Sequence, residues 1–244
     1  MFAAQKCTTR RRHTCAVPHR WPAGGARPAS PKGGAGKSTT AVILGTELAY
    51  RGVPTVLLDC DPNRSISRWA RKGHMPPRVK LENEITEASV IKVIRSHDID
   101  GQVVIVDLEG VASRLMSRAI SQADLVIIPM RATYLDAEIG LASLSLIDQE
   151  EEALGRKIPH AAVLTMTRGV VSRQHRELER DFTNGGLDLI QPSLMERAAF
   201  SALFEYGGDL HTMPDTGKMT AARENAAGFA EAVYRRLSGA SGND

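Results

Sequence analysis

Runs of consecutive apolar residues recur along the chain with amphipathic stretches between them. Pro54–Asp61, Gln102–Asp107, Asp124–Pro129 and His160–Thr165 each hold such a run, and none alternates with polar residues. Apolar segments of this length without alternation suit parallel strands covered on both faces. Residues 79–81 and 187–189 are weaker strand signals. Helical spacing predicts helices over 38–51, 63–72, 86–97, 136–154, 172–183, 195–206 and 220–237. Strands alternating with helices mean βαβ units and a mainly parallel sheet flanked by helices. The chain is 244 residues long and shows no internal repeat or long linker, so one α/β domain is expected over 31–238, with a short disordered tail at 239–244.

The chemistry concentrates where the first helix begins. Lys32-Gly33-Gly34-Ala35-Gly36-Lys37-Ser38-Thr39 is a phosphate cradle. Glycines let backbone N–H groups converge on one anion, because no Cβ blocks the dihedrals or the approach. Lys37 can reach the β- and γ-phosphates, and the Ser38 hydroxyl can bind Mg²⁺. The N-terminus of the following helix faces the same charge. A chance glycine-rich surface loop would have no reason to carry both lysines together with Ser38-Thr39.

Upstream of the loop the pattern breaks. A phosphate loop leaves the C-terminal end of a strand, yet residues 20–31 contain Pro22, Pro28 and Pro31, which cannot donate to a sheet ladder. The first strand is therefore expected to be missing or corrupted. Residues 1–30 hold Lys6, Arg10, Arg11, Arg12, Arg20 and Arg27 and no acid. Three readings are open for them: an organellar transit peptide, a disordered basic arm that touches nucleic acid, or a mistranslated or wrongly started segment. The net charge of +3 changes meaning once they are set aside, because the remaining 25 basic residues face 28 acidic ones. Any binding to nucleic acid by the body must come from a local patch. Cys7, Cys15 and Cys60 form no C-x-x-C pair, so neither a disulfide framework nor a zinc site is expected. No apolar run approaches the roughly 20 residues that cross a bilayer, and a cytoplasmic protein is expected.

The usual glycine five places before Gly36 is replaced by Pro31, and Lys32 opens the loop instead. With that second lysine the sequence resembles the deviant Walker A ATPases of the ParA/MinD family, P-loop NTPases of the SIMIBI type. The likeness covers about residues 31–237, runs through Val163–Arg168 and Pro192–Phe200, and is nearest to plasmid ParA-like proteins and the VirC-type ATPases of T-DNA transfer. It implies roles for strand-end acids that the residues alone mark only as candidates. Asp107 matches the Walker B acid beside Mg²⁺, Asp59 supports the metal shell, and Asp61 orients the attacking water. Thr165 and Met166 match the strand end near the adenine. Lys32 would cross a dimer interface to the partner's ATP, so two nucleotides would be sandwiched in a homodimer. Trans-acting cations of that kind are worth roughly 10³–10⁵ in rate.

The resemblance further implies non-specific DNA binding through arginines of the C-terminal region. Arg168, Arg173 and Arg176, with Arg197 on a later helix, are the candidates, with a plain solvated face as the alternative because Glu177 and Glu179 lie among them. A nucleoid-associated partition ATPase stimulated by a ParB-like adaptor is the leading expectation. A VirC-type DNA-transfer ATPase and the positioning of a protein cargo use the same mechanism. A MinD-like membrane switch needs bulky apolar residues on its last helix, where this chain has mostly alanines, so no membrane partner is expected. Iron–sulfur scaffold relatives need paired cysteines, and small-molecule ligase relatives lack the counterpart of Lys32.

Overall fold

The structure, a computed structural model, describes residues 2–6, 34–109, 113–167, 173–214 and 219–239. Among them β1 (Phe2–Lys6), β2 (Thr55–Cys60), β3 (Val79–Glu82), β4 (Val103–Leu108), β5 (Leu125–Arg131), β6 (His160–Thr167) and β7 (Leu194–Met195) form one sheet in the order β3-β2-β4-β1-β5-β6-β7. The helices are α1 (Lys37–Tyr50), α2 (Ser65–Ala70), α3 (Val90–Ser96), α4 (Arg114–Ile120), α5 (Tyr134–Leu154), α6 (Arg173–Asn184), α7 (Ala198–Tyr206) and α8 (Met219–Leu237). All six residues of β2 and all six of β4 are buried, so helices must cover both faces. One group is α1 with α2, α7 and α8, and the other runs from α3 to α4 to α5.

The first strand was expected to be missing or corrupted ahead of the loop; the residues directly before the loop lie outside the described ones, and another segment takes the central place in the sheet. Residues 2–6 fill the central slot between β4 and β5 and run antiparallel to both, with Phe2 opposite Asp107 and Lys6 opposite Val103. The remaining strand pairs are parallel. A five-residue segment with one bulky apolar residue carries too little pattern to read as a central strand. It also lies far upstream of the loop. Residues 7–33 lie outside the described residues, and with them most of the segment for which three readings were open.

The α8 helix has its apolar residues in the core: Phe229, Ala230 and Val233 are fully buried and Leu237 nearly so. Among the described residues no helix is long and apolar enough to cross a membrane. At the other end of α7, Gly207 crosses the Lys72–Gly73 backbone so closely that no side chain fits between them. Trp69 donates its indole N–H to the Gly208 carbonyl at 2.8 Å, and Lys72 Nζ donates to the Phe204 carbonyl at 2.8 Å. These contacts fasten α2 to α7.

Candidate functional site

Parallel strands deliver their C-terminal ends to one edge of the sheet, and the acids that end β2 and β4 arrive together. Asp59 and Asp107 are register partners on adjacent strands. Both are fully buried, and Asp61 is 5% exposed. Above them the loop turns into α1 at Gly36, whose φ of 74° lies in the left-handed region that favours glycine. Its carbonyl accepts from the Thr40 N–H and hydroxyl, both at 2.8 Å, which starts the helix on the loop itself. The outer carbonyls of the loop are also held. Thr165 Oγ1 donates to the Ala35 carbonyl at 3.0 Å, and Arg131 Nη2 donates to the Gly34 carbonyl at 3.2 Å. Within the loop the Gly36 N–H donates to the Gly34 carbonyl at 2.7 Å, so the N–H groups left for an anion are those that open α1.

Lys37 and Ser38, the first residues of α1, reach down to the acids. Ser38 Oγ donates to Asp107 Oδ2 at 2.6 Å, and Lys37 Nζ lies 3.9 Å from Asp61 Oδ2. Burial pushes the Asp107 carboxyl up to about 7, opposed by the Ser38 bond and by Lys37 and reinforced by Asp59 and Asp61. Asp59 Oδ2 accepts from both the N–H and the hydroxyl of Ser67, at 2.8 and 2.5 Å. Asp61 Oδ1 accepts from the Asn63 N–H at 2.7 Å, which fixes the carboxylate at the start of the turn into α2. Between the two acids, burial pushes the Cys60 thiol up and the charges of Asp107 and Asp59 push it further, so it stays protonated and unreactive.

One observation tests whether a divalent cation fits. The Oδ1 atoms of Asp59 and Asp107 are buried and without a hydrogen-bond partner. Buried carboxylate oxygens normally find donors, and here both are left over beside the Ser38 hydroxyl. Hard oxygen donors of this kind suit Mg²⁺, which keeps waters and shares phosphate oxygens rather than using an all-protein cage. Among the described residues no group of three or more His, Cys, Asp or Glu side chains could hold a metal ion by itself.

Beside the loop a cavity of about 110 Å³ is lined by Gly36, Thr39, Thr165, Met166, Arg197 and Phe200, among others. That is well under the roughly 300 Å³ of a complete small-molecule site, so by itself it has room for only part of such a ligand. Met166 stands at φ 53°, which turns the chain at the end of β6 towards this cavity.

The structure therefore brings together Gly34, Ala35, Gly36, Lys37, Ser38, Asp59, Asp61 and Asp107, with Thr39, Thr165 and Met166 in the adjoining cavity. Lys32, Gly33 and Arg168 lie outside the described residues, and of Arg173 only the backbone in α6 is described. Arg176 is exposed on α6. Arg197, expected with the DNA-contacting arginines, forms part of the cavity wall. It is partly buried, its Nη2 lies 3.1 Å from Met195 Sδ, and its Nε is buried without a partner. It follows directly on the short strand β7 and Glu196. Arg131 was not anticipated, because one arginine after an apolar run looks like a solvated strand end.

Residues 27–234 match the family described as VirC1 protein. The chain is 56% identical to Protein ParA of Rhizobium radiobacter, over 86% of this chain and 95% of that protein. In fold it resembles the apo form of McdA from Cyanothece, with a TM-score of 0.61 and 18% identity, covering 84% of this chain and 97% of that one. It also resembles a plasmid partition protein of Borrelia burgdorferi B31 bound to AMPPNP, with a TM-score of 0.56 and 20% identity, covering 85% and 97%.

Proposed function

The chain belongs to the VirC1 family of ParA-like P-loop proteins, and from that membership we propose that it is an ATPase that dimerises on ATP, binds DNA without sequence preference and partitions or positions a cargo. The observation that carries the ATPase reading is the pair of unpartnered buried oxygens on Asp59 and Asp107, directly under Ser38 and Lys37. Loop N–H groups and Lys37 bind the β- and γ-phosphates. Ser38, Asp107 and Asp59 are the residues that would hold Mg²⁺, which would neutralise charge shared between those phosphates. Asp61, oriented by the Asn63 N–H, accepts a hydrogen bond from the attacking water. Lys37 beside it offsets the carboxylate until triphosphate draws the ammonium away. Thr165, Met166 and the rest of the small cavity take the base and sugar end.

Lys32 reaches the partner's triphosphate, so that each subunit completes the other's pocket. Hydrolysis then returns the protein to monomers and releases it from DNA and nucleoid. A ParB-like adaptor or the cargo itself stimulates the step. The 56% identity to a ParA favours partition, and the VirC1 match favours DNA transfer, which would use the same cycle. Membrane docking by α8 is disfavoured, because its bulky apolar residues are already buried.

Co-sedimentation with random duplex DNA under ATP, ADP and no nucleotide tests the reading, run in parallel with phosphate release. ATP-dependent binding and slow, Mg²⁺-dependent hydrolysis are expected. Absence of hydrolysis by the wild-type chain under all conditions, or equal DNA binding with ADP and ATP, would overturn it.

A further inference from the structure

We infer that the face of the protein that meets the DNA backbone is a cationic strip on α3 and α4, rather than the arginines of α6. The inference rests on the reading that the chain binds duplex DNA. The sequence of α3 is VIKVIRS and that of α4 is RLMSRAI, so together they carry Lys92, Arg95, Arg114 and Arg118 and no acid. Two contacts fix how the helices lie. Near their starts Arg114 Nη1 is 3.9 Å from Glu87 Oε1, just before α3. Near their ends Arg95 Nε donates to Gln122 Oε1 at 3.1 Å, just after α4. The helices therefore run side by side in the same direction.

Residues three or four apart on a helix share a face, so Lys92 with Arg95 and Arg114 with Arg118 form one strip. All four are exposed, and the Arg114 side chain is 87% exposed. The opposite side of the same helices is apolar and in the core, with Val90, Ile94, Met116, Ala119 and Ile120 buried. Acids flank the strip: Glu87 before α3 makes an exposed pair with Arg114 of a kind worth at most about 1 kcal/mol, and Asp98 and Asp100 follow α3. A phosphate displaces Glu87 easily.

The comparison with α6 decides the choice. Over Arg173–Asn184 that helix sets Arg173, Arg176 and Arg180 against Glu177, Glu179 and Asp181, a net charge of zero. A polyanion gains affinity by releasing counterions as cations approach, and acids interleaved with arginines cancel the gain. The strip offers four cations in two adjacent single turns of helix. Its chemistry fits nucleic acid rather than a lipid surface, because the large apolar side chains of both helices are buried or partly buried and none is left to enter a bilayer. Side chains of this type contact phosphates and carry no base readout, in keeping with binding that ignores sequence.

The test uses the full chain with ATP and a fluorescent random-sequence duplex, titrated across salt. Two variants are compared: Lys92→Ala/Arg95→Ala/Arg114→Ala/Arg118→Ala, and Arg176→Ala/Arg180→Ala. The strip variant is expected to lose at least about tenfold in affinity near 0.1 M salt, and its log–log salt slope to flatten by about 3 to 4, at 0.9 per phosphate contact. Its DNA-free ATP hydrolysis should match wild type, and exchanging Lys and Arg at the same four positions should restore binding. Should the alanine variant fail to fold, acetylation of Lys92 in the wild type reads the same contact: protection by DNA supports the strip, and equal labelling overturns it. Loss confined to the α6 variant overturns the inference and leaves DNA binding standing. Strip-dependent binding to anionic vesicles without binding to DNA also overturns it. A wild-type chain that binds no DNA in any nucleotide state overturns both.

Discussion

Gly207→Ala should destabilise the protein far more than Gly52→Ala, although both replace a glycine at positive φ. Gly52 has φ +90°, and a Cβ built there meets nothing within 4 Å. Its cost is backbone strain of about 1–2 kcal/mol, offset by about 0.4–1 kcal/mol from the stiffer unfolded chain. The net is roughly 0–1.5 kcal/mol. Gly207 has φ +78°, and its Cβ would stand 2.7 Å from the Lys72 carbonyl carbon and 2.8 Å from Gly73 Cα. Those atoms are backbone on both sides, so no side chain can swing away. Overpacking of this kind adds about 1–3 kcal/mol, giving a net of about 1–4.5 kcal/mol. Urea unfolding monitored by circular dichroism measures the difference, provided the two slopes agree.

The damage should also reach the site. Ser67, on α2, holds Asp59, while α7 begins beside Arg197 and carries Phe200 into the cavity. Loosening the crossing lets both move, so nucleotide affinity should fall in Gly207→Ala at temperatures where it remains folded. Equal unfolding free energies for the two variants, within about 0.5 kcal/mol, would refute the account of the α2–α7 crossing.

Three further outcomes are expected. Arg131→Met removes the donor to the Gly34 carbonyl and should weaken ATP binding about three- to tenfold, the equivalent of one modest hydrogen bond; Arg131→Lys should recover part of it in equilibrium titration. Ser67→Ala takes the hydroxyl from Asp59 Oδ2 and should lower hydrolysis while leaving ATP affinity within about twofold, as read by phosphate release against nucleotide titration. Glu47, 1% exposed and bonded to His211 Nε2 at 2.9 Å, has its carboxyl raised by burial, partly opposed by His211 and Arg51. A raised folded-state value means the native form holds its proton longer, so this stabilising contribution is full below about pH 4.5 and lost as pH rises through the raised value. Glu47→Gln should flatten that fall in urea midpoints measured from pH 4 to 7, and an unchanged profile would contradict the assignment.

What the chain disclosed in advance follows from how locally each feature is encoded. The four buried strands were legible because each is an apolar run, and Asp59 and Asp107 stand out as the first charges after two of those runs, with Asp61 two residues beyond Asp59. The central antiparallel strand was not, since Phe2–Lys6 owes its place to pairing with β4 and β5 rather than to its own pattern. The α4 helix escaped notice, although Ser113 caps it by accepting from the Met116 N–H. Arg197, a DNA-contacting candidate only through the family resemblance, follows β7 and lines the cavity beside the loop, which its local sequence does not disclose. The contact between Glu47 and His211 joins residues 164 positions apart and leaves no trace in local composition.

The central claim is that triphosphate, shared between two copies, is what holds the pair together. Light scattering on a sizing column tests it most directly, using Asp61→Ala with Mg²⁺ and either ATP or ADP. The account predicts a dimer with ATP and a monomer with ADP, and a monomer in both once Lys32→Ala is added. A species of the same mass with either nucleotide would contradict it.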